Sequence, residues 1–235
     1  MQNKRGVSTY FLIPIILLMF LLFFLIINKN RTKTIEFDIE DVNVYVNKCI
    51  QSVSLQGLKK MGKQGSLYPK ISIPYDDSKV TFLYYKGTRL IPDEIYLYEN
   101  EIMDYIRKNI DSCVINYEET KLVPEKEISL KGGFDKQGFF FESYYPITIE
   151  ELSQTITDFD VSIDVKFYDI LNITNTIYNL SIKEPGWIDI EYLNKIPFNV
   201  NLINVDPNTY IYEIIDKKGL IDEDFMFRFA MRFSR

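Results

Sequence analysis

Acidic pairs are the residues of this chain whose type and spacing come nearest to chemistry: Asp76-Asp77, Glu150-Glu151, Asp158 with Asp160, and Asp222-Glu223-Asp224. Two carboxylates at the right separation suffice for glycoside hydrolysis, so a carboxylate-dependent hydrolase is one reading. Against it, 33 acidic residues make adjacent pairs inevitable, and solvated turns and helix N-termini account for most of them. Histidine is absent, which removes Ser-His-Asp and Cys-His nucleophile systems, histidine-ligated zinc and any histidine general base. Asp158-x-Asp160 begins like a calcium loop but lacks the glycine and the distal Glu that complete one. Gly132-Gly133 has neither the spacing nor the trailing Lys-Ser/Thr of a phosphate loop. No catalytic residue, metal ligand or cofactor is therefore assigned, and the chain is read as a non-enzyme.

Cys49 and Cys113 are the only cysteines, and each falls on the apolar face of a predicted helix. If those helices pack together the sulfurs meet, and a bridge closing a loop of about 65 residues contributes on the order of 4 kcal/mol. The alternative is two buried free thiols, which are common in core helices. An oxidising compartment decides for the bridge. With no C-x-x-C spacing and no histidine, the pair does not read as a metal site.

The elements that must position these residues follow from periodicity. From Asp38 to Met61 the apolar positions Ile39, Val42, Val46, Cys49, Ile50, Val53, Leu58 and Met61 recur at helical spacing, with Asp38 as N-cap and Gly62 and Gly65 as the stop. Pro92-Asp93-Glu94 opens a second helix whose face carries Ile95, Tyr98, Ile102, Tyr105, Ile106, Ile110 and Cys113. Between them, 70–74 and 79–85 read as short strands or extended loop, broken by Pro69, Pro74 and Gly87. Residues 127–131 and 138–145 fit a hairpin turning at Gly132-Gly133. Phe159, Val161, Ile163 and Val165 alternate as a half-buried strand. Helical spacing returns at Phe167, Ile170, Leu171 and Tyr178, until Pro185-Gly186 stops it. At the C-terminus, Phe225, Phe227, Phe229, Met231 and Phe233 define a core face, while Arg228 and Arg232 define a wet one. With 200–205 and 210–215 this makes a terminal antiparallel sheet. The fold class is α+β, helical in the first half of the soluble part and rich in antiparallel sheet in the second. The aromatic runs Tyr84-Tyr85, Phe139-Phe140-Phe141 and Tyr144-Tyr145 could build a partner or sugar patch; strand alternation instead puts one of each adjacent pair in the core and exposes the other.

Ahead of this, Tyr10 to Ile27 is an eighteen-residue run without a charge, about 27 Å long as a helix and close to the roughly 30 Å of a bilayer's hydrocarbon core. The expected organisation is a flank (1–9), a transmembrane helix (10–27), a linker (28–37), a two-helix region (38–121) and an α/β region with antiparallel sheet (122–235). The last two are closely joined or one domain. Asn28 to Lys33 follows the run directly, where a cleaved secretory peptide would have a small-residue site. Basic residues flank the helix on both sides, so charge does not orient it. The cysteine pair, the net charge of -6 and the sequons at Asn30, Asn172 and Asn179 point the domain outside the cytoplasm, with Asn172 and Asn179 as candidate glycosylation sites. Scattered lysines and arginines provide no cationic stripe, which excludes nucleic acid as a partner. Membrane lipid is the expected partner, with envelope proteins or like subunits beside it.

Lys4-Arg5-Gly6 followed by Val7-Ser8-Thr9-Tyr10 resembles the class III signal of archaeal type IV pilin-like proteins. That resemblance implies cleavage between Gly6 and Val7 and a filament-subunit role, although Phe11 stands where pilins commonly carry Glu. Val44 to Cys49, Gly62 to Gly65, Ile73-Pro74-Tyr75, Tyr105 to Cys113 and Phe225 to Ala230 together resemble a group of archaeal single-pass membrane proteins of uncharacterised activity. The expectation is a membrane-anchored extracytoplasmic protein with a structural or interaction role in the cell envelope. A pilin-like filament subunit and a membrane-tethered carboxylate-dependent hydrolase are the alternatives.

Overall fold

Helix α1 spans Ile39–Gln64 and starts as its sequence dictates, with the Asp38 carboxylate accepting the Glu40 N–H at 2.9 Å. The computed structural model describes Met19 and residues 38–234, except 91–93, 185–188 and 221–222. Its contacts divide the chain into two units, residues 1–42 and residues 43–235. The Tyr10 to Ile27 run, apart from Met19, lies outside the described residues, as do Gly6 and Val7. Among the described residues no helix is long and apolar enough to cross a membrane.

Within the second unit, α1 buries Val46, Cys49, Ile50, Val53, Leu58 and Met61. It stops at Gly65, whose φ of 73° lets its N–H return to the Met61 carbonyl at 2.7 Å. Gly62, expected as part of that stop, lies inside the helix instead. A Cβ there would stand 2.2 Å from the Met226 carbonyl oxygen, so the glycine serves close approach to a strand. Helix α2, Ile95–Val114, buries Tyr98, Ile102, Met103, Ile106, Ile110 and Val114. It meets α1 at Gly57, where a Cβ would come within 2.4 Å of Ile102. The Tyr45 hydroxyl donates to the Cys113 carbonyl at 2.8 Å, and the sulfurs of Cys49 and Cys113 stand at disulfide distance, 2.08 Å.

Between these helices lie β1 (Ser72–Tyr75), β2 (Ser78–Tyr85) and β3 (Thr88–Arg89). The strand-rich half supplies β4 (Leu122–Pro124), β5 (Ser129–Phe134), β6 (Phe139–Ile149) and β7 (Gln154–Ile163), then helices α3 (Phe167–Lys183) and α4 (Ile190–Leu193). It ends in β8 (Asn199–Asp206), β9 (Thr209–Leu220) and β10 (Glu223–Arg232). The molecule is therefore α+β, as read from the sequence. One sheet runs β1-β2-β10-β9-β8 with β3 on β2, and the other runs β4-β6-β5 with β7 on β6.

The strand pairing departs from the sequence expectation in two ways. β10 pairs with β2 in parallel, so the C-terminal sheet is mixed and takes in strands from the two-helix region. The hairpin turn lies at Asp135 to Gly138, where the Asp135 carboxylate accepts the Gln137 and Gly138 N–H groups at 2.7 and 2.9 Å. Gly132 and Gly133 sit inside β5. A Cβ at Gly133 would meet Glu99 at 2.3 Å, the carboxylate that accepts the Phe134 N–H at 2.8 Å.

The two sheets share one aromatic core. Phe167, at the start of α3, lies 4.5 Å from Phe134 of β5, 5.5 Å from Phe227 of β10 and 5.1 Å from Tyr98 of α2, centroid to centroid. Phe134 continues to Phe139, and Phe139 to Phe141. Along β6 the alternation holds: Phe139, Phe141 and Tyr145 are buried, while Phe140 and Tyr144 are exposed. Burial and a hydrogen bond to Asp111 push the Tyr145 hydroxyl far above the usual tyrosine range.

The expected wet face of β10 is covered. Ala230 joins Val80, Phe82 and Ile211 in a second apolar cluster, screened by Ile73, Tyr75, Tyr85, Leu90 and Ile203. Arg228 is buried in that face. Its Nε donates to Glu213 at 2.7 Å, its Nη2 donates to Asp76 at 3.1 Å, and the guanidinium lies 5.2 Å from the Tyr75 ring centre. Arg232 remains half-exposed beside Asp206, 3.9 Å away. The reason is geometric: a bulge where β10 meets β2 at Ala230/Met231 and the β1-β2 hairpin bring aromatic rings over a face that strand alternation alone leaves open.

Candidate functional site

The residues singled out by chemistry fall in several places. Asp76-Asp77 and Glu223-Asp224, distant in sequence, converge on one cavity of about 570 Å³ together with Lys59, Lys63 and Arg228. Asp76 occupies the tight turn between β1 and β2 at φ 49°, a left-handed conformation that non-glycine residues adopt at a cost. Each of these carboxylates holds a cation: Asp76 with Arg228 at 3.1 Å, Asp77 with Lys63 at 3.4 Å, Glu223 with Lys59 at 2.5 Å and Asp224 with Lys217 at 2.6 Å. The cluster is wired as internal ion pairs. Asp158 and Asp160 lie on the outer face of the smaller sheet, beside Glu142, Lys131 and the exposed ring of Tyr144. Glu150 pairs with Lys121 at 2.5 Å. Asp222 lies outside the described residues. Among the described residues, no group of three or more Cys, Asp or Glu side chains is gathered closely enough to hold a metal ion.

Two of the sequons, at Asn172 and Asn179, fall on α3; the third, at Asn30, lies outside the described residues. Asn172 and Asn179 are exposed, but the hydroxyls that complete them are buried. Thr174 Oγ1 donates to the Ile170 carbonyl at 2.8 Å, and Ser181 Oγ shares a hydrogen bond with the Tyr212 hydroxyl at 3.3 Å. An extended Asn-x-Ser/Thr acceptor is not presented by this helix, so a glycan would have to be added before α3 forms.

The cavity with the character of a ligand site was not read from the sequence. It measures about 400 Å³ and lies between residues 66–71, the inner face of β2 and the first turns of α2, within the usual range for small-molecule sites. Ile71, Leu90, Leu97 and Tyr98 give it an apolar body, and Ser66, Thr81, Asn100, Glu101 and Asp104 are its polar points. Position along α2 explains the carboxylates, because residues 97, 101 and 104 fall on one helix face. Glu101 is fixed by its wall: it accepts the Ser66 hydroxyl at 2.8 Å and the Leu67 N–H at 2.8 Å. Asp104 closes the rim, accepting the Tyr68 hydroxyl at 2.7 Å and the Lys108 ammonium at 2.6 Å. The hydrogen bond from Lys108, then that from Tyr68, hold the Asp104 carboxyl below the usual range, while burial, then the Asp104 hydrogen bond, raises the Tyr68 hydroxyl. Thr81 is buried, and its hydroxyl has no hydrogen-bond partner among the described residues. Since the lining is drawn from side chains up to 38 positions apart, between Ser66 and Asp104, no local motif announces it.

Comparison with protein-family models, with curated proteins and with solved structures finds no match. The resemblances to archaeal single-pass proteins and to a class III signal thus rest on the residues quoted for them.

Proposed function

We propose that this chain is a membrane-anchored component of the cell envelope that holds its α+β domain outside the cytoplasm in a structural or interaction role. The observation that carries the reading is the Cys49 and Cys113 pair at disulfide distance between α1 and α2, because disulfides persist in oxidising compartments and are rare in the cytosol. The uncharged run from Tyr10 to Ile27 supplies the anchor, long enough to span a bilayer. Exposed Phe140 and Tyr144 on the outer face of the smaller sheet supply contact surface. The hydrolase alternative draws on the convergence of Asp76-Asp77 with Glu223-Asp224, but the ion pairs that occupy those carboxylates weigh against it.

The test is the intact mass of the protein from native membranes, alkylated with and without prior reduction. Two alkyl groups added only after reduction support the reading, and two added without reduction overturn it. The same spectrum locates the mature N-terminus. A start at Val7 would favour the pilin-like alternative, and a start beyond Ile27 would remove the anchor.

A further inference from the structure

We propose that the cavity lined by Ser66, Thr81, Leu90, Leu97, Tyr98 and Glu101 binds a small organic amine, its protonated nitrogen carried on a short apolar or aromatic body. This goes beyond the envelope role and does not depend on which way the domain faces. The body is accommodated by Ile71, Leu90, Leu97 and the ring of Tyr98, which present apolar surface that a ligand would cover.

The head group follows from two polar features of the wall. Glu101 is held in place by the Ser66 hydroxyl and the Leu67 N–H, yet among the described residues no cation forms an ion pair with it. Asp104 differs, because Lys108 and Tyr68 already occupy it. Lys70, also on the lining, is exposed. The Thr81 hydroxyl is buried without a partner among the described residues, and a buried hydroxyl left unmatched is costly until a ligand supplies the match. An ammonium donates a charge-assisted hydrogen bond to the Glu101 carboxylate, and a turn of the Thr81 side chain about its Cα–Cβ bond brings the buried hydroxyl oxygen in as its second acceptor. A neutral alcohol of the same shape satisfies Thr81 but gains less from Glu101. A carboxylate ligand meets the like charge of Glu101, with only the exposed Lys70 on the lining to offset it, and binds more weakly than the amine.

The experiment uses the full chain in lipid nanodiscs, labelled at isoleucine and leucine methyls, titrated with 2-phenylethylamine, 2-phenylethanol and 3-phenylpropanoate. Methyl signals report the site directly, so partitioning of a probe into lipid does not imitate binding. The amine should shift the Ile71, Leu90 and Leu97 methyls saturably. It should bind at least about tenfold more tightly than the alcohol, in keeping with the greater strength of charge-assisted hydrogen bonds, and more tightly than the acid. Thr81→Val should weaken the amine about fivefold, the loss of one hydrogen bond, with the Ile106 and Ile211 methyls unmoved as evidence of an intact fold. Glu101→Gln should abolish the preference for amine over alcohol. If that variant fails to fold, the wild-type comparison of amine with alcohol decides. No saturable shift with the amine, equal affinity for amine and alcohol in the wild type, or an amine affinity unchanged by Thr81→Val in a folded protein would overturn the proposal.

Discussion

Replacing Glu213 by Leu should destabilise the protein by about 3 kcal/mol, and replacing Arg228 by Met as well should recover nearly all of it. The two side chains, on adjacent antiparallel strands and directly opposite in register, are each 9% exposed. Removing one partner of a buried pair typically costs about 3–5 kcal/mol, because a charge is left without its counter-ion, whereas replacing both by apolar residues is often neutral or stabilising. Two contacts would remain to Arg228. Asp76 is 55% exposed at its side chain, and a pair of that kind contributes about 0–1 kcal/mol. The Tyr75 ring adds a cation-π contact of about 0.5–1 kcal/mol. These place the single variant at the lower end of the range. The double variant puts Met and Leu two residues along the same strands from the apolar pair Ala230 and Ile211, surroundings that suit them, so it should lie within about 1 kcal/mol of the wild type. Urea unfolding of the full chain in mild detergent, followed by far-ultraviolet circular dichroism, measures both, with an unchanged dependence on urea as the check that the same surface unfolds. A Glu213→Leu variant shifted by less than about 1 kcal/mol, or a double variant less stable than either single one, would refute the assignment of a desolvated pair.

Three further outcomes are expected. Phe167→Ala, which removes the ring shared by Phe134, Phe227 and Tyr98, should cost about 3–5 kcal/mol by the same assay, while Phe167→Leu should cost less. Reduction of the wild type, or the double change Cys49→Ser with Cys113→Ser, should lower stability by about 4 kcal/mol on the chain-entropy estimate for this loop; an unfolding midpoint insensitive to reductant would contradict it. Burial raises the Asp216 carboxyl above its usual range, with Lys166 opposing. The folded state therefore holds that proton to higher pH than the unfolded state does, and stability declines as pH rises from the unfolded value through the folded one. Asp216→Asn should flatten that decline in unfolding measured from pH 4 to 8.

Much of this fold was legible because its long elements carry one strong period each. Val46, Cys49, Ile50 and Val53 announce α1, and Phe225, Phe227 and Phe229 announce β10, each from a single stretch of sequence. What could not be read is decided across elements. Gly62 looks like a helix stop, but its meaning lies in the Met226 carbonyl beside it. Gly132-Gly133 looks like a turn until Glu99, on another element, is seen to occupy the side-chain space of Gly133, and the paired strand at Phe140 and Phe141 that of Gly132. Arg228 reads as solvent-facing by alternation, yet the hairpin carrying Tyr75 and Asp76 covers it. Of the chemistry, the cysteine pairing was accessible because both residues lie on apolar helix faces. The cavity was not, since Thr81 and Glu101 are ordinary strand and helix residues until the chain brings them to one cavity.

The covalent path through the domain has a mechanical consequence. Cys49 and Cys113 lie 64 positions apart, and the described cavity lining, from Ser66 to Asp104, falls wholly inside the ring they close. Tension applied to the chain ahead of Cys49 would pass through the sulfurs to Cys113 and onward into the strands, leaving residues 50–112 as a slack bypass. A pull of that kind would reach the cavity only through contacts made across the ring, such as the pairing of β2 with β10.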